Sequence, residues 1–298
     1  MFVVTASCQN LFRIKTVIKP KSTEHTTEIE ALQSFMEARC KKLNYRHVSV
    51  KHNENAGTIS VTTEIDPESE FALERYRSLF KSNSLELWET YRINDPEIKS
   101  ILPSLPEING FLHFRNLNPE NYQIEVLGLC NDETLLESIV DSFKIKCADL
   151  PDLQLLWSLE KEQLYTGEEG YKLYLINTNG QEEAAINDTH ITKAEGAVND
   201  YDGMPQVLFD FNEEGTSIWA DITRAAAHNN RSIAIVINDR VYAAPRVMSE
   251  ITGGKCAISG DFTLIQADNI ATAIALGRLP FPIEILEEKI FQKGDSDD

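Results

Sequence analysis

Gln206-Val207-Leu208-Phe209-Asp210-Phe211 sends Val207, Phe209 and Phe211 to one side and the residues between them to the other. A period of two is the mark of a strand with one buried face. The period then changes. Over 213–228, Ile218, Ile222 and Ala225 fall on one helical face. Ile233-Ala234-Ile235-Val236-Ile237 is apolar throughout, which predicts a strand covered on both sides, and Asn238-Asp239 closes it. Residues 240–244 and 255–259 read as further extended segments. Thr263 caps a helix carrying Leu264, Ala267, Ile270, Ala271 and Ile274; Gly277 ends it, and Pro280 and Pro282 bar its continuation. Residues 283–290 alternate again, as do 171–177 upstream. Together these predict an α/β head over 171–291.

Towards the amino terminus, 11–18 reads as a strand, 19–25 as a loop and 26–43 as a helix with Ile29, Leu32, Met36, Cys40 and Leu43 on one face. Residues 47–52 and 57–65 form a hairpin around a loop ending in Gly57. Asp66-Pro67 opens a second helix carrying Phe71, Leu73, Tyr76, Leu79 and Phe80, and 84–91 is a strand. This order is the split βαβ arrangement, so the fold class is α+β, with a ferredoxin-like base over 11–102 ahead of the head. Pro103, Pro106 and Gly110 mark a break, and 103–170 is a connecting α/β segment with a strand at 122–129, a helix at 132–144 and a strand at 153–159. Residues 292–298 are an acidic tail expected to be disordered.

Charge excludes some functions. With 28 Lys+Arg against 47 Asp+Glu the net charge is -19. Sequence-independent nucleic-acid binding and docking on anionic lipid both need a cationic face. No run approaches the roughly 20 apolar residues of a membrane span. An apolar groove for a polypeptide stays open. None of the five cysteines forms a C-x-x-C pair; Cys130 and Cys147 bracket one helix, either as a disulfide or as ordinary thiols. Residues 1–10 resemble a truncated lipoprotein signal, a short apolar run and small residues before Cys8. Cys8 is then the lipid acceptor and the chain lies on the periplasmic side of the envelope. The alternative is a plain cytoplasmic start at Met1.

Enzyme chemistry finds little footing. An acylphosphatase needs a glycine-bearing anion loop after the first strand, and Lys19-Pro20-Lys21-Ser22 has no glycine. Gly253-Gly254-Lys255 lacks the upstream glycine of a Walker loop. No two of the six histidines stand four apart on a helix, and no Ser or Cys sits in a nucleophile motif. The expectation is a protein without catalysis, cofactor or metal.

Several motifs stand in a fixed order: Gly203-Met204-Pro205-Gln206-Val207, Phe211-Asn212-Glu213-Glu214-Gly215, Trp219-Ala220-Asp221-Ile222-Thr223, Ile233 to Asp239, and Ala243-Ala244-Pro245-Arg246-Val247. Ile251-Thr252-Gly253-Gly254, Ile258-Ser259-Gly260-Asp261-Phe262-Thr263, Leu276-Gly277 and Leu279-Pro280-Phe281-Pro282 continue it. This order resembles the head of the large extracytoplasmic domain of SecD, an accessory subunit of bacterial protein export often fused as SecDF. Leu85 to Tyr91 and Asp152 to Trp157 are similar to SecDF of the Bacteroidetes type. Residues 29–65 fit the base more loosely: Arg39 matches a family arginine, but Asn44 stands where glycine is usual. The resemblance covers about 23–290 and implies base plus head; the sequence departs from the family in offering no transmembrane helix, so proton-driven work by this chain alone is not expected. It makes Gly203, Phe211, Asn212, Gly215, Thr223, Asp239, Pro245, Gly253, Gly254, Gly260, Phe262, Gly277 and Pro280 family-motif positions, with plain structural readings as turns, stops and close packing. It also implies an envelope protein that contacts exported, unfolded polypeptide or the Sec translocon. The alternative is a lipoprotein that reuses the domain as a scaffold for an unrelated partner. Such binding would use an apolar groove between head and base or an exposed strand edge; candidate contacts are Tyr242, Val247, Met248 and Ile251, for which the core is the preferred alternative.

Overall fold

The structure, a computed structural model, describes residues 12–21, 26–45, 47–113, 125–163, 167, 169–259 and 263–292. Cys8 and its signal, Gly260, Phe262 and the tail beyond 292 lie outside the described residues. The elements begin β1 (Phe12–Pro20), α1 (Thr26–Lys42), β2 (Ser49–Asn53), β3 (Thr58–Ile65), α2 (Glu70–Arg77), β4 (Leu85–Thr90), α3 (Pro96–Ile101) and β5 (Phe111–His113). They continue with β6 (Val126–Cys130), α4 (Leu136–Lys146), β7 (Leu153–Trp157), β8 (Glu162–Gln163), β9 (Glu169–Asn177), β10 (Ile186–Asn187), β11 (Ile191–Val198) and β12 (Pro205–Phe211). Last come α5 (Glu213–His228), β13 (Ile233–Ile237), β14 (Arg240–Ala243), β15 (Lys255–Ser259), α6 (Leu264–Leu276) and β16 (Ile283–Gln292). The chain divides into two units: described residues up to Asn83 together with those from Ala275 on, and Ser84–Ile274.

In the first unit a four-stranded antiparallel sheet runs β16-β1-β3-β2. Ile14, Ile18, Ile59, Val61 and Ile65 point from it into a core shared with Leu32, Met36 and Cys40 of α1 and Tyr76 of α2. The strand expected to complete this sheet, 84–91, is not in it. Its place beside β1 is taken by β16, in register from Phe12↔Gln292 to Pro20↔Ile283. Burial explains the exchange. Leu85, Leu87, Trp88 and Thr90 of β4 are buried on both strand faces, which demands cover on both sides, whereas β16 is exposed along most of its length and suits an edge. The first helix ends as the sequence requires: Asn44 has φ 55°, and Tyr45 N–H reaches Cys40 O at 3.2 Å. Asparagine thus takes the left-handed position that glycine usually fills. The second helix starts later than Asp66-Pro67 suggested. Ser69 is its cap, accepting from Ala72 N–H at 3.2 Å, while the Asp66 carboxylate only bends the chain towards Glu68.

In the second unit a nine-stranded sheet follows β14-β13-β4-β9-β6-β5, with β10 beside β4 and β7 and β8 beside β9. A separate three-stranded sheet runs β11-β12-β15. The breaks expected near 102 and 170 are therefore not divisions of the chain. Strands from the expected base (β4), connecting segment (β6, β7) and head (β13) share one sheet and, through Trp88, Leu127, Leu155 and Val236, one core. Asn238 and Asp239 have φ of 51° and 62° and join β13 to β14 in the Ile237↔Arg240 register, a two-residue hairpin of the primed type.

Candidate functional site

The three-stranded sheet has one packed face. Val207, Phe209 and Phe211 of β12 join Trp219, Ala226, Ile258, Ala267 and Ala271 in a core. Helix α5 is held at its start by Asn212, whose side chain accepts from Gly215 N–H at 2.7 Å. Gly215 has no room for a Cβ, which would stand 2.8 Å from that of His190. Thr223, fully buried in the middle of α5, donates to Trp219 O at 2.6 Å and accepts from Ile251 N–H at 2.9 Å. It therefore pins the 245–254 loop along the helix. The far end of that loop returns to β12 through Phe211 N–H to Gly254 O, 2.9 Å, and its near end is tied to the turn after α5 through Val247 N–H to Arg231 O, 3.1 Å. Gly254 needs its φ of +64°, and Gly203 its φ of +72° in the β11–β12 hairpin. Pro245 O accepts from Ile233 N–H. Gly253 lies in the pinned loop with nothing within 4 Å of an added Cβ. Gly277 (φ +64°) and Pro280 fall after α6, in the first unit. The family-motif positions that are described thus cap, turn and fasten.

The four candidate contacts do not converge. Val247 is buried in the core with Ile258, and Tyr242 packs half-buried against it, burial pushing its phenol well up. Met248 and Ile251 are exposed on the pinned loop. The structure also gathers residues that sequence reasoning passed over. An added Cβ on Gly196 of β11 would stand 2.7 Å from Asp268 N, so α6 lies directly against that strand. Val198 follows on the same face of β11, next to the hairpin that carries Tyr201 and Met204, and α6 opens with Leu264 and Ile265 shortly after β15, whose last residue, Ser259, pairs with Gln206 at that same end of the sheet. These five are exposed, Tyr201 to 97%. The segment 191–198 has no clean alternation, but Asp202-Gly203 ahead of Pro205 is a turn signal that points to a hairpin there.

Reactive groups are sparse. Cys40, Cys130, Cys147 and Cys256 are free thiols, and burial pushes Cys256 up to about 12, away from a thiolate nucleophile. A groove of about 320 Å³ by Phe111, Leu112, Leu129 and Asn131 has one carboxylate, Glu169, in its lining. Among the described residues no cluster of three His, Cys, Asp or Glu side chains is placed to hold a metal ion, and no helix is long and apolar enough to cross a membrane.

Residues 162–281 match the family model described as SecDF, P1 head subdomain. Protein translocase subunit SecD of Calditerrivibrio nitroreducens is 35% identical over 109 residues, 37% of this chain and 21% of the relative. That of Rhodothermus marinus is 33% identical over 145 residues, 47% of this chain and 23% of the relative. The chain thus spans about a fifth of the length of these relatives. A crystal structure of SecDF in super-membrane-facing form aligns over 94% of this chain and 30% of its own, with TM-score 0.53 and 18% identity. A second, described as a membrane component SecDF that enhances protein export, aligns over 92% of this chain and 98% of its own, with TM-score 0.50 and 20% identity. At those identities the likeness is one of fold. It bears out the expected resemblance: a mixed α/β chain similar to the extracytoplasmic domain of SecD.

Proposed function

We propose that this chain serves protein export on the extracytoplasmic side of the membrane, as a non-enzymatic module that contacts emerging polypeptide or the Sec translocon. The observation that carries the reading is the edge of β11, which pairs with β12 alone among the described residues and lies within the very segment, 162–281, that matches the SecDF head. An exported chain is extended and has unsatisfied backbone groups. A strand edge recognises that state through main-chain hydrogen bonds, with little regard to sequence. The similarity to a component that enhances export supports the reading. Met248 and Ile251, exposed on their pinned loop, are further candidate contacts.

The test is site-specific photocrosslinking in living cells, from Met248 and from Tyr201, while a secretory protein is arrested in the translocon. Crosslinks to the arrested chain or to translocon subunits are expected. Crosslinks to neither, with export unchanged when the gene is deleted, would overturn the reading.

A further inference from the structure

The outer side of β11 faces no other strand among the described residues. Pro205 has no N–H, so Val198, opposite it, is not a hydrogen-bonded pair of the ladder. One residue further on, Asn199 N–H does reach Met204 O, at 2.9 Å, as the alternation requires. The backbone groups of Val198, Gly196 and Ala194 therefore point away from β12, and β11 pairs with no other strand among the described residues. At the end of this edge the hairpin is tightly bonded: Gly203 N–H to Asn199 O, Tyr201 N–H to Asn199 Oδ1 and Met204 N–H to Asp202 Oδ1 are each 2.9 Å. Tyr201 is thus an exposed aromatic on a fixed turn, displayed at little entropic cost. Around it the charge is negative. Asp200 and Asp202 flank it, while the one nearby cation on β11, Lys193, is matched by Glu195 at 2.7 Å.

We propose that this edge takes an extended polypeptide segment in which apolar residues alternate with lysine or arginine, added as a further strand beside β11. The proposal rests on the export reading above and specifies its ligand. The free backbone groups require an extended occupant. Val198, Tyr201, Met204, Leu264 and Ile265 require apolar side chains on it. The carboxylates select cations among its polar residues and repel anionic lipid.

Fluorescence anisotropy of the full chain with labelled peptides tests this. One peptide alternates leucine and lysine, its counterpart leucine and glutamate, and an unfolded neutral polypeptide serves as reference. The lysine peptide is expected to bind about tenfold more tightly than the glutamate one, the gap closing with salt. Tyr201→Ala is expected to weaken it about tenfold. Ala194→Pro is expected to do the same, because the lost N–H faces outward and the β11–β12 ladder keeps its bonds. The exposed Tyr201 site carries the test should Ala194→Pro fail to fold. Equal affinity for the two charged peptides would overturn the charge selection. Undiminished binding by both variants would overturn the edge itself, while binding of the reference polypeptide would still uphold the export reading. Binding to anionic vesicles that Tyr201→Ala abolishes would reassign the surface and overturn the proposal. Failure of every unfolded polypeptide to bind, together with absent crosslinks, would remove the export reading beneath it.

Discussion

Strands β16 and β11 are both sheet edges, and they are guarded differently. β16 carries Glu284, Glu287, Glu288 and Lys289, and its ladder slips at Val17/Ile18, leaving Leu286 without an opposite residue. Lys19 and Arg77 pair with Glu284 and Glu288 at 3.2 and 2.7 Å. Its exposed Ile285, Leu286 and Ile290 each adjoin a charge. Charge and a bulge are the ordinary defences of an edge against stray pairing. β11 has Lys193 and Glu195, then Gly196-Ala197-Val198 with neither charge nor proline. The export proposal rests on that difference between an edge that is guarded and one that is not.

The largest expected effect tests what closes the guarded sheet. β16 arrives from the far end of the sequence, and Arg39 fastens that seam. It is 1% exposed and donates to Leu79 O at 2.6 Å, Lys81 O at 2.8 Å and Gly277 O at 2.5 Å. Arg39→Ala takes the guanidinium from all three carbonyls, leaving Gly277 O with Asn83 N–H at 3.1 Å and Lys81 O with Asn83 Nδ2 at 3.4 Å, and opens a cavity, at a cost of about 4 kcal/mol. Urea denaturation measures the loss, and hydrogen exchange should show β1 and β16 opening first. Arg39→Lys should recover only part, since an ammonium lacks the fork that spans several acceptors. A neutral Arg39→Ala would mean that the β1–β16 ladder alone holds the seam.

Two changes sharpen the open edge. Gly196→Ala drives a Cβ to 2.7 Å from Asp268 N and 2.9 Å from its Cα, and backbone cannot swing aside. About 1–3 kcal/mol is expected, with α6 displaced from β11 and weaker peptide binding. Asn212→Ala removes the α5 cap for about 1 kcal/mol and should leave peptide affinity unchanged. Equal loss of binding in both would show that affinity follows the stability of the second unit rather than the β11 surface.

Most elements were legible because their periods are strong. The helix at 213–228, the strand at 233–237 and the cap at Thr263, where Gln266 N–H and Thr263 Oγ1 lie 3.3 Å apart, stand where the pattern put them. Which sheet a strand joins was not legible. Leu85 to Tyr91 alternates as well for a base sheet as for the nine-stranded one, and the choice is made by partners far away in sequence, β13 and β9. The contact candidates near the Gly-Gly loop were drawn from apolarity alone, which does not separate buried Val247 from exposed Met248. β11 was missed because its small residues, the feature that leaves the edge open, are poor strand formers.

The smallest effect sets buried charge against the solvent-facing charge of β16. Glu125 is buried, with Lys172, Glu162 and Tyr174 around it, and Lys172 Nζ lies 2.5 Å from Glu162. Burial pushes the Glu125 carboxyl above the ordinary 4.5, the Lys172 charge opposes the shift and Glu162 adds to it. The folded state then holds this proton more firmly than the unfolded chain does. Its contribution is present in full below 4.5 and is lost as pH rises through the raised value. Glu125→Gln keeps the shape and removes the titration. Thermal midpoints measured from about pH 4 to about pH 7.5 should fall less steeply in the variant, and at the upper end should equal or exceed the wild type. A variant less stable at neutral pH would mean that pairing with Lys172 outweighs desolvation, so that this buried charge, like those of β16, is held by its partner.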